Sequence, residues 1–409
     1  MCIRDRGNTV IGENAGDSFS GTDATNNTLI GKDAGTAITT GDNNTALGGI
    51  SLDALTTGSS NTAIGYSSAS ALTTGGTNTA IGMYALNAAT TASSNTAVGY
   101  NSLFANTSGN ANVALGYASG DAITTGSNNT AIGYDALTTA TTVNNNTAIG
   151  KDSLKVATAG HNTAVGSSAL QANTSAESNV AVGDNALYTT TTGGANVAVG
   201  RYALRYSTNA SNNIAVGYNS LGANTTGERN TAIGGYALDG NTTATDCTAV
   251  GYAALTAFNT GGSNTALGAY ALANNTSGYY VVGLGRYALY SNTTGHSNSA
   301  VGNNALYSNT TASNNTAFGQ AALQLNTTGS ENVAVGGTAL DACTTGSYNT
   351  AVGTAALSAS TTASFNDAFG RYSLQDTTTG NNNAAFGVGT LMENSTGSEN
   401  TAFGSNALQ

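Results

Sequence analysis

Apolar positions in this chain recur in one short phrase, not in helical stripes or long alternating runs. An apolar residue followed by glycine returns at near-constant spacing, with the glycines at 12, 31, 48, 65, 82, 99, 116, 133, 150, 166, 183, 200 and onward to Gly404. Every step from Gly31 to Gly150 and from Gly166 to Gly404 is 17 residues; only the first step, of 19, and the Gly150–Gly166 step, of 16, differ. The 24 copies share the consensus N-T-A-[IVLF]-G-Y-x-A-L-x-x-N-T-T-G-S-x, clear at Asn61-Thr62-Ala63-Ile64-Gly65-Tyr66.

The slot three residues before the anchor glycine exchanges Thr with Val113, Val180, Val197, Ile214 and Val333. That preference for β-branched side chains predicts a strand. Alternation along it puts the Thr slot and the Ile/Val slot on one face and the Ala between them on the other. The aliphatic face is expected inside, the Ala face outside, and Asp367, in the Thr slot of one copy, at the rim. The Ala-Leu pair, as in Ala85-Leu86, supplies a second apolar point, and a single helical turn at Y-x-A-L is compatible with it. Thr-Thr-Gly reads as the turn, its Gly supplying positive φ; the 19- and 16-residue steps are expected to change length there. Seventeen residues cannot hold a core alone, so copies must stack. The expected fold is all-β: an elongated parallel β-solenoid of about 24 coils, roughly 115 Å long at about 4.8 Å per coil. The Asn that opens each strand is expected to form an axial ladder. A helical-hairpin array fails because Gly, Thr and Asn are poor helix formers.

Composition changes this picture little. With 54 Gly, no Pro or Trp and 8% charged residues, the chain resembles a disordered one, but the strict repeat overrides that reading. The net charge of −11 is spread thinly without a basic patch, which argues against nucleic-acid binding, and no 18-residue apolar run suggests membrane insertion. Residues 1–7 read as a non-repeat leader, opening MCIRDR, and 8–409 as one repeat array that stops in mid-repeat at Ala407-Leu408-Gln409. Cys2, Cys247 and Cys343 are too far apart to suggest disulfides or a metal site.

The strand phrase resembles the head repeats of trimeric autotransporter adhesins, whose S-V-A-I-G units are matched by N-T-A-I-G, by N-V-A-V-G at 196–200 and by N-I-A-V-G at 213–217. The whole unit also resembles repeats of bacterial and phage tail-fibre-domain proteins, over Asn8 to Gln409. The resemblance implies a left-handed parallel β-roll, a homotrimer and an attachment role at a cell surface or on a virion. Adhesin head coils are shorter than 17 residues, and Thr here replaces their first apolar strand residue. The small, uncharged Ala stripe is the expected meeting surface for the three chains.

Catalytic parts are scarce. His161 and His296 fall in the variable turn with no positioned nucleophile or acid, so no enzyme, catalytic residue, cofactor or metal is expected. The glycines are periodic punctuation, not a phosphate loop, and the G-G-x-G-x-D calcium phrase is missing. Asp33 and Asp152 are expected to pair with Lys32 and Lys151 at the surface. Of 19 tyrosines, Tyr66, Tyr100, Tyr134, Tyr218 and Tyr252 directly follow an anchor glycine, and Tyr84, Tyr202, Tyr236 and Tyr270 lie one residue further on. They are candidate glycan-contact residues, or an intramolecular ladder, which regular stacking rewards by itself. The Arg201-Tyr202, Arg286-Tyr287 and Arg371-Tyr372 recurrence reads as block duplication. The expected function is a structural and attachment fibre segment, extracellular, with a host-surface glycan or protein receptor as partner. A passive surface or matrix filament and a Thr-rich ice-binding solenoid are the alternatives.

Overall fold

A computed structural model describes residues 6–19, 23–257 and 260–408. It is a parallel β-solenoid with one three-residue strand per coil and no helix among the described residues. The chain divides into two compact units, residues 1–202 and 203–409. The first holds β1 (Thr9–Ile11) through β12 (Val197–Val199), the second β13 (Ile214–Val216) through β24 (Thr401–Phe403). Within each unit consecutive strands pair in parallel and in register, as Thr62↔Thr79, Ala63↔Ala80 and Ile64↔Ile81 do. The ladder continues beyond the strands: Thr62 N–H donates to Asn78 O at 2.8 Å, Ala69 N–H to Ala85 O at 2.9 Å and Thr73 N–H to Thr90 O at 2.9 Å. Each coil is thus bonded to its neighbours around most of its perimeter, which meets the backbone donors that irregular segments would otherwise leave unpaired.

Side-chain direction along the strand is the reverse of the expectation. In every described strand the middle residue, usually Ala, is buried, and the flanking Thr and Ile/Val positions are half-buried or exposed. The Ala column is therefore interior and cannot be the surface on which chains meet. Counting from the anchor glycine as zero, the inward residues of the coil at Gly82 are Asn78 (−4), Ala80 (−2), Ala85 (+3), Leu86 (+4), Ala89 (+7) and Ala92 (+10). The +4 Leu crosses the narrow interior to the −2 slot. Where Gly283 takes that slot, an added Cβ would lie 3.3 Å from Leu272 Cγ. The slot is small because a leucine already fills the space opposite it. Asp367, outward and exposed, escapes the cost of burying a charge.

Two first-unit coils show the compensation. Leu29 replaces the −2 Ala, and Gly35 replaces the +4 Leu of the same coil; a Cβ on Gly35 would stand 2.8 Å from Leu29 Cδ2. Val10 is likewise matched by Gly16.

The Y-x-A-L segment is a double corner, with positive φ at +2 and +4, as in Tyr84 (φ 59°) and Leu86 (φ 52°). This excludes the helical turn. A non-Gly residue in that region costs about 1 kcal/mol, offset here by complete burial of the leucine. The Thr-Thr-Gly glycine has no positive φ; the anchor glycine carries it instead (Gly65, φ 132°), and a Cβ there would sit 2.6 Å from Gly82 O. Conformation and close stacking both demand glycine at the anchor. The short coil loses its residue in the Thr-Thr turn as expected: Asn146 Nδ2–H reaches Ala159 O 13 residues on, where the regular Asn129 reaches Val143 O at 14. The two extra residues of the first coil fall between Phe19 and Ala24, mostly at positions 20–22, outside the described residues. Residues 1–5 of the leader are also outside them, whereas Arg6 already accepts from Asn26 N–H.

The Asn ladder forms, and it is buried. Asn78 donates Nδ2–H to Ala92 O at 2.8 Å, and its Oδ1 accepts from Asn95 N–H at 3.0 Å. A second ladder was missed. The +7 Asn of N-T-T also points inward, and Asn292, Asn309 and Asn326 each donate Nδ2–H to the Asn Oδ1 one coil earlier at 2.8–3.0 Å. That slot elsewhere holds Ala89, Ile38, Leu55, Leu72 or Cys343, among others. Cys247 takes a −4 position, its backbone N–H still bonded to Asn230 Oδ1 at 3.0 Å. Burial pushes both thiols up, that of Cys343 to about 11.

Two outcomes test this packing. Gly35→Leu should lower the melting temperature, costing about 1–3 kcal/mol through overpacking, and Leu29→Ala in the same chain should restore part of it, because Ile38 Cδ1 also stands 2.9 Å from the added Cβ. Replacing the +7 row Asn292, Asn309 and Asn326 together with Leu should leave thermal stability near wild type. Asn78→Leu and Asn95→Leu should each cost about 1–3 kcal/mol by unpairing buried backbone groups.

Candidate functional site

The outward surface of the strands follows from the inward Ala. Each strand presents the −3 and −1 side chains together, so each unit carries two parallel columns. The −1 column is aliphatic or aromatic throughout: Ile81 and Val182 are 36% exposed, Leu267 49% and Phe403 70%. Near the end of the second unit it becomes a Phe stack, Phe369–Phe386–Phe403, with centroids 4.9 and 4.7 Å apart and rings within 6° of parallel. The −3 column is mainly Thr, with Val113, Val333 and Ile214 also exposed. Asp367 is the only charged residue in either column.

Beyond the anchor glycine the chain turns into the +1 to +5 corner, where the tyrosines gather. In the first unit Tyr66, Tyr84, Tyr100, Tyr117 and Tyr134 form one row, with successive centroids 5.8, 6.2, 5.3 and 5.1 Å apart. In the second, Tyr218, Tyr236, Tyr252, Tyr270 and Tyr287 do the same at 5.3, 5.9, 5.5 and 5.3 Å. The five candidate glycan-contact tyrosines are thus placed in two rows, three in the first unit and two in the second. All five are exposed, from 40% for Tyr100 to 51% for Tyr66 and Tyr252. Positions +1 and +2 interleave in one row because the corner turns between them. Tyr117, although it directly follows Gly116, was overlooked, and so were the +5 rings: Phe104 lies 6.3 Å from Tyr84, and Tyr290 stacks on Tyr307 at 5.3 Å. The missing signal was that +5 returns beside +2 across the left-handed corner.

Several acids at this corner are half-buried, whereas Lys32, Lys151 and Arg286 at +1 are exposed. Asp53, Asp121, Asp239 and Asp341 all occupy +5, and burial raises each carboxyl above its ordinary value, with Asp33 adding to the rise at Asp53 and Asp135 at Asp121. Lys155 bridges Asp152 at 2.8 Å and Asp135 at 3.2 Å. The expected Lys151–Asp152 pair is present at 3.8 Å. Lys32 instead pairs with Glu13 at 3.5 Å, and Asp33 accepts from Asn14 Nδ2–H at 2.8 Å.

His161 Nε2 lies 3.2 Å from Asn145 Nδ2, and the His296 ring stacks on Tyr279 at 4.9 Å. The short coil leaves an open recess of about 230 Å³, lined by Thr142, Thr158, His161 and Glu177 among others. Among the described residues no group of three or more His, Cys, Asp or Glu is placed to hold a metal ion, and no helix is long and apolar enough to cross a membrane. No protein-family model matches the chain, and no curated protein is significantly similar to it in sequence.

The +5 carboxyls have a pH consequence. Their folded values lie above the unfolded value of 3.8, so the folded chain binds more protons than the unfolded chain between those values. Stability should therefore rise as pH falls from neutrality through the raised values toward 3.8. Melting temperatures from pH 7.5 down to 4 should show this gain, and replacing the four Asp with Asn should remove most of it.

Proposed function

We propose that the chain is a non-catalytic structural and attachment segment, the shaft or head of a trimeric surface adhesin or tail fibre, exposed outside the cell or on a virion. The observation that carries this reading is the outward pair of strand columns, uncharged but for Asp367 and repeating at strand spacing. A second copy of the chain repeats at the same spacing, so its columns can meet these residue by residue over many coils. Burying rows of Ile, Val and Phe removes apolar area from water at about 25 cal/mol per Å², and the small per-coil gain accumulates with length. Copies joined in this way leave the tyrosine corners outside, where repeated weak contacts to a host-surface glycan or protein would add by avidity. The adhesin-like strand phrase N-T-A-I-G agrees with this arrangement.

Sedimentation of the full chain tests it, a trimer being the expected result; a monomer at micromolar concentration contradicts it. Ile64→Lys, Ile81→Lys and Val98→Lys combined should dissociate the trimer while leaving the β-type circular dichroism intact, because these side chains point outward.

One observation favours a second reading. The strand sets Thr beside an outward aliphatic residue, not beside Ala, which makes a regular Thr-x-Ile array of the kind that could order water. Thermal hysteresis by a monomeric chain would support an ice-binding role. Absence of both assembly and receptor binding would leave a passive filament.

A further inference from the structure

From Cys247 through Ser330 the sequence contains no Asp or Glu, and its one Lys or Arg is Arg286. In a chain of net charge −11 this 84-residue stretch is locally cationic, and it holds seven of the 19 tyrosines. Arg286 is exposed. Its guanidinium lies over the Tyr287 ring, 4.5 Å from the centroid, and Nη2–H donates to Tyr287 Oη at 3.2 Å. Among the described residues no carboxylate is within ion-pair distance of it, whereas Arg201 and Arg229 are paired with Asp184 and Asp246. Tyr287 stacks on Tyr270 at 5.3 Å and meets Tyr290 and Tyr307 edge-on at 5.5 and 6.1 Å.

We propose that Arg286 and the Tyr270–Tyr287–Tyr290–Tyr307 cluster form a binding site for an oligosaccharide bearing an anionic group, a carboxylate or a sulfate. Tyr287 is covered by Arg286 and Tyr270, and Tyr290 and Tyr307 each cover one face of the other, so a sugar's C–H face meets the remaining ring surface and edges of Tyr270, Tyr290 and Tyr307, with phenol oxygens beside them for its hydroxyls. The guanidinium, 4.5 Å from the Tyr287 centroid with one N–H engaged by its hydroxyl, keeps its other donors for the bidentate contact that a carboxylate or sulfate can make. Elsewhere on the chain the scattered acids repel such a ligand; here the nearest acids along the sequence are Asp246 and Glu331. Arg371 and Tyr372 repeat the cation–ring contact at 4.2 Å, but Asp367 and Asp376 lie nearby in sequence and no aromatic row flanks Tyr372. They serve as an internal control.

The biological use of this site rests on the attachment reading; its existence does not. Binding of fluorescent tetrasaccharides to the full chain tests it, using a uronate, a sulfated galactan and a neutral galactan. At least one anionic probe should bind about tenfold or more tightly than the neutral one, with affinity falling as salt rises. Arg286→Gln should abolish that preference, Tyr290→Ala should weaken binding several-fold, and Arg371→Gln should change neither. Equal binding of all three probes, no binding of any, or an Arg286→Gln variant that keeps the preference overturns the proposal. Sedimentation is independent of all these outcomes, so loss of the site and loss of the trimer are separately visible.

Discussion

The narrowness of the coil governs the rest of this structure. Seventeen residues enclose a core only one side chain wide, and the +4 leucine spans it. Everything opposite that leucine must be small, so the strand turns its alanine inward and its larger residues outward. Leu29 with Gly35, and Val10 with Gly16, show one way of sharing that space, and the +7 side chain is another: a Cβ on Gly35 would stand 2.9 Å from Ile38 Cδ1, and one on Gly120, whose coil keeps Ala114 at −2, 3.1 Å from Ile123 Cδ1.

A core so thin has little apolar area to offer, and buried polar ladders supplement it. Each −4 asparagine satisfies a carbonyl within its own coil and accepts an amide from the next. The +7 slot is more permissive: it holds Asn, Leu, Ile, Ala or Cys, among others, and Asn106, between Ala89 and Ile123, is satisfied by Gly109 of its own turn without an axial partner. The outward face is correspondingly rich in apolar side chains, because the residues that cannot fit inside are displaced onto it. Surface hydrophobicity and interior economy are two results of the same cross-section, and the trimer reading and the tyrosine corners both depend on it.

The repeat, the strand position, the Asn ladder and the site of the one-residue deletion were all legible in the sequence, because each is a matter of period and residue type. The sidedness of the strand was not. Hydrophobicity pointed Ile64 and its equivalents inward, whereas the deciding feature was size: the near-invariance of Ala63 marked the tighter wall. The left-handed corner at Leu86 was hidden for a similar reason, since leucine gives no local sign of positive φ and occupies it only because burial outweighs the strain. Without that corner the nearness of +2 and +5 could not be read, so Tyr290 and Tyr307 were not placed beside the +1 and +2 tyrosines. Arg286 was read only as part of a recurring dipeptide, although the stretch without acids around it is already plain in the sequence; what the fold adds is its contact with Tyr287 and the row beyond.

The asparagine ladder also has a direction. In each described link the earlier coil contributes the side-chain oxygen and the later coil the backbone amide, as Asn78 does for Asn95. A coil that has closed therefore presents a fixed, unfilled acceptor to the segment that follows it. Chain growth from the ribosome delivers donors in that same order, so each new coil can be templated by the one before it. Cys247 and Val281, which lack that oxygen, mark the two places in the second unit where the template falls silent.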